Sequence, residues 1–190
     1  MKYRISREDA KNRVSQIIIS VDFGGSGSGH AFVATGISRD FRDVIALASE
    51  RHFGDIDPNK LGDLFVDFVL KIINVYGMPD ICYADSAEQT LIRGLRSSLL
   101  KANINLAIDN AWKTEINERI RATNRLMGQM RLYLTDDCES LETAFCTAVW
   151  NPKELTVDER LDDGSSDIDS LDAFEYTIER YIELLIITEV

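Results

Sequence analysis

Three aspartates in this chain sit where carboxylates can do chemistry. Asp22 follows an apolar run in "QIIISVDFGGSGSGH", and Asp85 follows another in "PDICYADS". Asp172 lies in "SSDIDSLDAFEYTIERYIELLII", with Asp169 one helical turn before it. In open α/β sheets, ligands gather beyond the carboxyl ends of the strands. If the strands ending in Asp22 and Asp85 are parallel neighbours, both carboxylates share one sheet edge. On a helical wheel, Asp172 falls beside the apolar stripe Ile168, Leu171, Phe174, Ile178, Tyr181, Ile182 and Leu185. Glu175, also close to that stripe, is a rival. Each acid has a plainer reading. Asp85 before "SAEQ" can cap a helix, and Asp167 and Asp169 suit a first turn behind Ser166 as cap.

Crowded carboxylates repel one another and raise each other's pKa, a cost that divalent cations remove. Oxygen ligands without a histidine or thiolate partner suit Mg²⁺ or Mn²⁺ rather than zinc. Two such ions, about 3.5–4 Å apart, serve in-line phosphodiester cleavage. Asp22 and Asp85 are therefore candidates for such a site, with the third carboxylate open between Asp172, Asp169 and Glu175.

The elements that must position these residues follow from periodicity. "QIIISVDF" is a β-branched strand, and "HAFVATGISR" and "RDVIALASERHF" continue it as antiparallel partners. The stretch "DPNKLGDLFVDFVLKIINVYG" predicts a helix capped by Asp57, started by Pro58 and closed by Gly77. After it come a strand "PDICYADS", a helix "AEQTLIRGLRSSLL", a strand "INLAI", a helix "KTEINERIRATNRLMGQ", a strand "MRLYLT" and a helix "CESLETAFCTAVW". Residues 151–165 read as a polar loop, and one long helix is expected over 167–187. The pattern predicts an α/β fold: a mixed sheet of about five or more strands, the first three antiparallel, flanked by helices. Residues 1–15 read as a linker and 16–190 as a single domain.

The glycine loop invites a nucleotide reading, and that reading fails. Gly24 and Gly29 have P-loop spacing, but His30 stands in place of the lysine and Ala31 in place of the hydroxyl. The dinucleotide fingerprint lacks its third glycine, and a strand follows where a helix should.

Composition sets further bounds. The 190 residues carry a net charge of −11. From Glu154 onward there are twelve acids against Arg160 and Arg180, so the acidity is concentrated in the tail. Free-standing affinity for nucleic acid rests on Lys and Arg, so this balance argues against it. The longest apolar stretches, "IIISV" and "LLII", are too short to cross a bilayer. The N-terminus lacks the apolar core of a signal peptide. Cys82, Cys138 and Cys146 have no metal-ligand spacing, and their odd number fits a reducing cytoplasm better than a disulfide framework.

Read together, these motifs resemble the C-terminal nuclease domain of the large terminase subunit of tailed bacteriophages. That family has the RNase H-like fold shared with RuvC resolvases and retroviral integrases. "IISVDFGGSGSGHAFVATGI", "PDICYADSAEQTLIRGLR" and "DIDSLDAFEY" resemble its acidic motifs. "AWKTEINERIRATNRLM" resembles its lysine-containing helix, and "CESLETAFCTAVWNP" its Cys-led helix. The resemblance covers about residues 16–188. It implies Asp22, Asp85 and Asp172 as ligands of two divalent ions, Mg or Mn, and Lys113 facing the scissile phosphate. Many members have a histidine where Asp169 stands, so this chain departs from the pattern there.

The resemblance further implies an endonuclease that cuts concatemeric viral double-stranded DNA during packaging in the host cytoplasm, with low sequence specificity. Its partners would be an ATPase domain of the same full-length protein, the small terminase subunit and the portal. The helix from Lys113 to Arg131, Arg119 included, is a candidate DNA-backbone face; a solvated helix with a Glu115–Arg119 pair is the alternative. Two other functions stay open: a non-catalytic docking module of the packaging motor, and a RuvC-like junction resolvase. An actin- or sugar-kinase-like ATPase would need two such lobes, for which the chain is too short.

Overall fold

The computed structural model describes residues 3–24, 29–149, 160 and 167–187. The expected polar loop 151–165 lies outside them except for Arg160, as do the cap Ser166 and residues 25–28 of the glycine turn. Six strands form one sheet: β1 (Val14–Asp22), β2 (His30–Ser38), β3 (Val44–His52), β4 (Ile81–Ala84), β5 (Ile108–Asn110) and β6 (Leu132–Leu134). Their order is β5-β4-β1-β2-β3-β6. β1, β2 and β3 pair antiparallel, whereas β4, β5 and β6 join parallel to their neighbours.

Among the described residues seven helices flank the sheet: α1 (Arg7–Arg13), α2 (Pro58–Tyr76), α3 (Gln89–Lys101), α4 (Ile116–Gly128), α5 (Glu139–Thr147), α6 (Ile168–Ile178) and α7 (Ile182–Ile187). Because successive strand residues face opposite ways, β1 feeds two cores. Ile17, Ile19 and Val21 pack with Phe65, Phe68 and Ile72 of α2 and Leu95 of α3. Ile18 packs on the other face with Leu126, Leu141, Leu171 and Phe174 of α4, α5 and α6. A strand covered on both faces needs a nearly continuous apolar run, which explains "IIISV", where the buried Ser20 hydroxyl has its own hydrogen bond. α2 has the caps its sequence signals: Asp57 accepts the Asn59 and Lys60 amides, Pro58 opens the helix, and Gly77 closes it at φ 106°. A Cβ on Gly62 would lie 2.1 Å from Ser98 Oγ, so glycine there lets α2 approach α3.

Three expectations are corrected. Residues 3–13 are packed structure rather than a linker. The Ile5 amide donates to the Leu134 carbonyl at 3.1 Å, Ser6 caps α1, and Ala10 is fully buried. Strand "INLAI" begins later, at Ile108, because Cys82 pairs with that residue; the Ile104 amide instead closes α3 on Leu99. The single long C-terminal helix is interrupted by a 3-10 turn at Glu179–Tyr181, where side chains turn toward the 110–114 segment.

Candidate active site

The register between β1 and β4 builds the site. Val21 pairs with Ala84 in parallel, so Asp22 and Asp85 follow side by side at the carboxyl ends of two central strands. The Asp85 amide donates to the Val21 carbonyl at 3.0 Å, which carries the pairing one residue beyond β4. Asp85 does not cap α3; its Oδ1 accepts the Ala87 amide at 2.9 Å in a local turn, and Glu88 holds the cap position. α6 crosses β1 and β2, pinned by the Ser20 hydroxyl on the Ala173 carbonyl and by the Thr177 hydroxyl, 2.9 Å from that of Thr35. That crossing brings Asp169 and Asp172 to the same edge.

Asp22 is buried, and burial pushes its carboxyl well above the usual carboxylate range. The negative charges of Asp172, Asp169 and Asp85 push the same way, which places all four acids within electrostatic reach. The Tyr176 hydroxyl donates to Asp22 Oδ1 at 3.3 Å and opposes the shift. Tyr176 lies one helical turn after Asp172, so a search for i, i+4 partners of the acid would have found it.

The other acids are paired with cations. Asp85 Oδ1 is 2.5 Å from Lys113 Nζ. Asp172 Oδ1 is 2.9 Å from Arg119 Nη1 and 2.8 Å from Arg160 Nη1. Asp169 accepts the Gly29 amide at 3.0 Å and Arg51 Nε at 2.8 Å, so it ties the foot of β2 to β3. Burial raises its pKa, against the pull of those two donors. Asp167, expected in the first turn, holds the cap position of α6 and accepts the Ser170 amide.

One expectation changes here. Arg119 is buried at 8% exposure instead of lying on a DNA-facing surface. Its guanidinium reaches Asp172 and Glu175, and its Nε donates to the Thr114 carbonyl. Glu175 turns to Arg160 and Arg119. Burial there outweighs both cations and raises its pKa to about 7.

Among the described residues, no group of three or more His, Cys, Asp or Glu side chains is gathered closely enough to hold an ion. Lys113, Arg119 and Arg160 instead pair with the carboxylate oxygens of Asp85 and Asp172. The chemistry of the donor set still fits a hard cation. Its members are oxygen ligands, and buried Asp22 lies in the field of three further acids.

Lys113 adopts φ 54°, a left-handed conformation that costs a non-glycine residue about 1–3 kcal/mol. Such strain persists only where the surroundings hold it.

No family model and no curated protein matches this chain. Solved structures do. The nuclease domain of the large terminase of bacteriophage SPP1, with bound Mn, aligns over 93% of this chain and 92% of its own, at 18% identity and TM-score 0.64. The fold is that of large-terminase nuclease domains. The P22 large terminase nuclease domain aligns over 95% and 92% at 13% identity and TM-score 0.62. The large terminase of a thermophilic bacteriophage aligns over 89% of this chain at 15% identity and TM-score 0.66, and this chain spans 40% of its length. The terminase-nuclease fold thus accounts for the mixed sheet, its antiparallel start and α6 lying over β1. No helix among the described residues is long and apolar enough to cross a membrane.

Proposed function

We propose that this chain is a metal-dependent endonuclease domain that cleaves concatemeric viral double-stranded DNA during genome packaging, with little sequence preference. One observation carries the reading. Asp22 and Asp85 end adjacent parallel strands, and α6 brings Asp172 into the electrostatic field of Asp22, in a fold also found in an Mn-bound terminase nuclease domain. Asp22, Asp85 and Asp172 would hold two divalent ions, Mg²⁺ or Mn²⁺, with Asp169 tying the β1–β2 turn beside them. Such ions supply water activation and neutralise charge on the leaving oxygen of a phosphodiester.

The chain's own groups do the rest. Tyr176 orients Asp22 through its hydroxyl. Lys113 offers an ammonium at the mouth of the site, where a scissile phosphate would compete with Asp85 for it. Arg119 and Arg160 hold the Asp172 carboxylate in place. An ATPase domain in the same full-length protein, the small terminase subunit and the portal are the proposed partners, and the host cytoplasm is the proposed location.

Asp22→Asn and Asp172→Asn are expected to abolish Mn²⁺-dependent nicking of plasmid DNA while the circular dichroism spectrum is retained. Full activity in either variant sinks the assignment. The cation-paired state of Asp85 and Asp172 favours one second reading, a docking module that retains the fold without cutting. Mn²⁺ separates the two, because a ligand that binds only the folded state must raise its melting temperature. Preference for four-way junctions over linear duplex would instead mark a junction resolvase.

A further inference from the structure

The 3-10 turn that interrupts the C-terminal helix carries Glu179, an acid at 3% exposure. A buried carboxylate in an apolar helix is costly unless its oxygens are used. Both are used here. Oε1 accepts the Trp112 amide at 2.6 Å, and Oε2 accepts the Thr114 amide at 3.1 Å and the Thr114 hydroxyl at 3.2 Å. The residue between those two amides is Lys113. With its flanking N–H groups turned inward to Glu179, Lys113 takes its left-handed φ and extends its side chain the other way, to Asp85.

The next residue reinforces the clamp. Arg180 Nη2 donates to the Asn110 carbonyl at 2.9 Å. Its guanidinium lies 4.5 Å from the ring centre of Trp112 and 4.4 Å from that of Tyr83. Tyr83 belongs to β4, the strand that leads into Asp85. Two consecutive residues of one turn therefore hold the 110–114 segment from both ends and against the strand that carries the acid.

We propose that Glu179 is a positioning residue. It clamps the backbone on either side of Lys113 so that the ammonium is presented at Asp85, where the phosphate would lie. The proposal rests on the nuclease reading for what Lys113 does, but the clamp itself can be read without activity.

The test uses the full chain and four variants: E179A, E179Q, K113A and E179A/K113A. Hydrogen exchange at the Trp112 and Thr114 amides reports the clamp, and kcat for Mn²⁺-dependent plasmid nicking reports the consequence. In E179A both amides are expected to exchange at least about tenfold faster. Its kcat is expected to fall about 10- to 100-fold, the effect of misplacing one catalytic group. E179Q, with one carbonyl oxygen, should fall between, and it replaces E179A if that variant does not fold. The deciding comparison is the double variant, which is expected to be no slower than K113A. A purely structural Glu179 would slow both backgrounds by the same factor, and that multiplicative loss would overturn the proposal. Wild-type kcat or protected amides in E179A would do the same. If the wild-type chain cuts nothing, the nuclease reading fails, and the amide exchange still decides the clamp.

Discussion

Arg119→Ala offers a sharp test, because a phosphate contact and a buried structural cation respond to it in opposite ways. Arg119 is 8% exposed and makes three polar contacts: Asp172 at 2.9 Å, Glu175 at 3.0 Å and the Thr114 carbonyl at 3.0 Å. It also lies 5.6 Å from the ring centre of Tyr176. Removing one member of a buried ion pair costs about 3–5 kcal/mol, because the remaining charge stays buried without its partner. Arg160 still reaches both acids, at 2.8 Å and 2.5 Å, which places the loss at the lower end of that range. About 3 kcal/mol corresponds to about 6–12 °C in melting temperature for a domain of this size. Urea unfolding followed by circular dichroism gives the number, and DNA anisotropy at several salt concentrations gives the control. A solvated phosphate contact would leave stability within about 0.5 kcal/mol and lower the salt slope by about one. That second pattern would refute the buried network. Glu175→Gln added to Arg119→Ala should restore part of the loss, since it leaves Arg160 only the Asp172 charge to balance.

Four further outcomes follow from the site and its scaffold. Asp22 has a folded-state pKa raised by burial and by neighbouring acids. A raised acid stabilises the fold below its unfolded pKa and loses that contribution as pH climbs through the folded value. Metal-free protein should therefore lose stability as pH rises above the usual carboxylate range, and Asp22→Asn should flatten that slope in urea midpoints. Mn²⁺ should raise the melting temperature of the wild type but not of Asp22→Asn, as read by differential scanning fluorimetry. Thr177→Val leaves the buried Thr35 hydroxyl without its partner at 2.9 Å and should cost about 1–3 kcal/mol in chemical denaturation. Gly62→Ala should be destabilising despite alanine's better helix propensity, because its Cβ would sit 2.1 Å from Ser98 Oγ; Ser98→Ala in the same chain should recover most of the loss.

Much of the scaffold was legible because its signals are local. "DPNKLGDLFVDFVLKIINVYG" contains its own cap, its own first-turn proline and its own terminating glycine, so α2 is written in one stretch. β1 was legible because a strand buried on both faces needs a nearly continuous apolar run, and few other short elements do. The failures came where distant residues decide. α1 reads as a polar linker, yet Ala10 is buried in the core and Arg7 pairs with Asp137, 130 residues away. The C-terminal helix has one continuous apolar stripe, yet it is interrupted at Glu179, where the turn docks against the 110–114 segment.

The candidate site divides along the same line. The sequence alone determined which carboxylates follow apolar strands, and that Asp172 sits beside the apolar stripe of its helix. Those properties are set by chain-local alternation and by the 100° step of a helix. Tertiary structure decided what the acids touch. The parallel register sets Asp22 beside Asp85, the crossing of α6 adds Asp172, and the fold then supplies Lys113, Arg119 and Arg160 as their cations. Charge pairing depends on distances across the sheet and between layers. A linear order of residues contains no such distances, so a lysine or arginine that reads as a DNA contact can be an internal partner of the acids it was expected to assist.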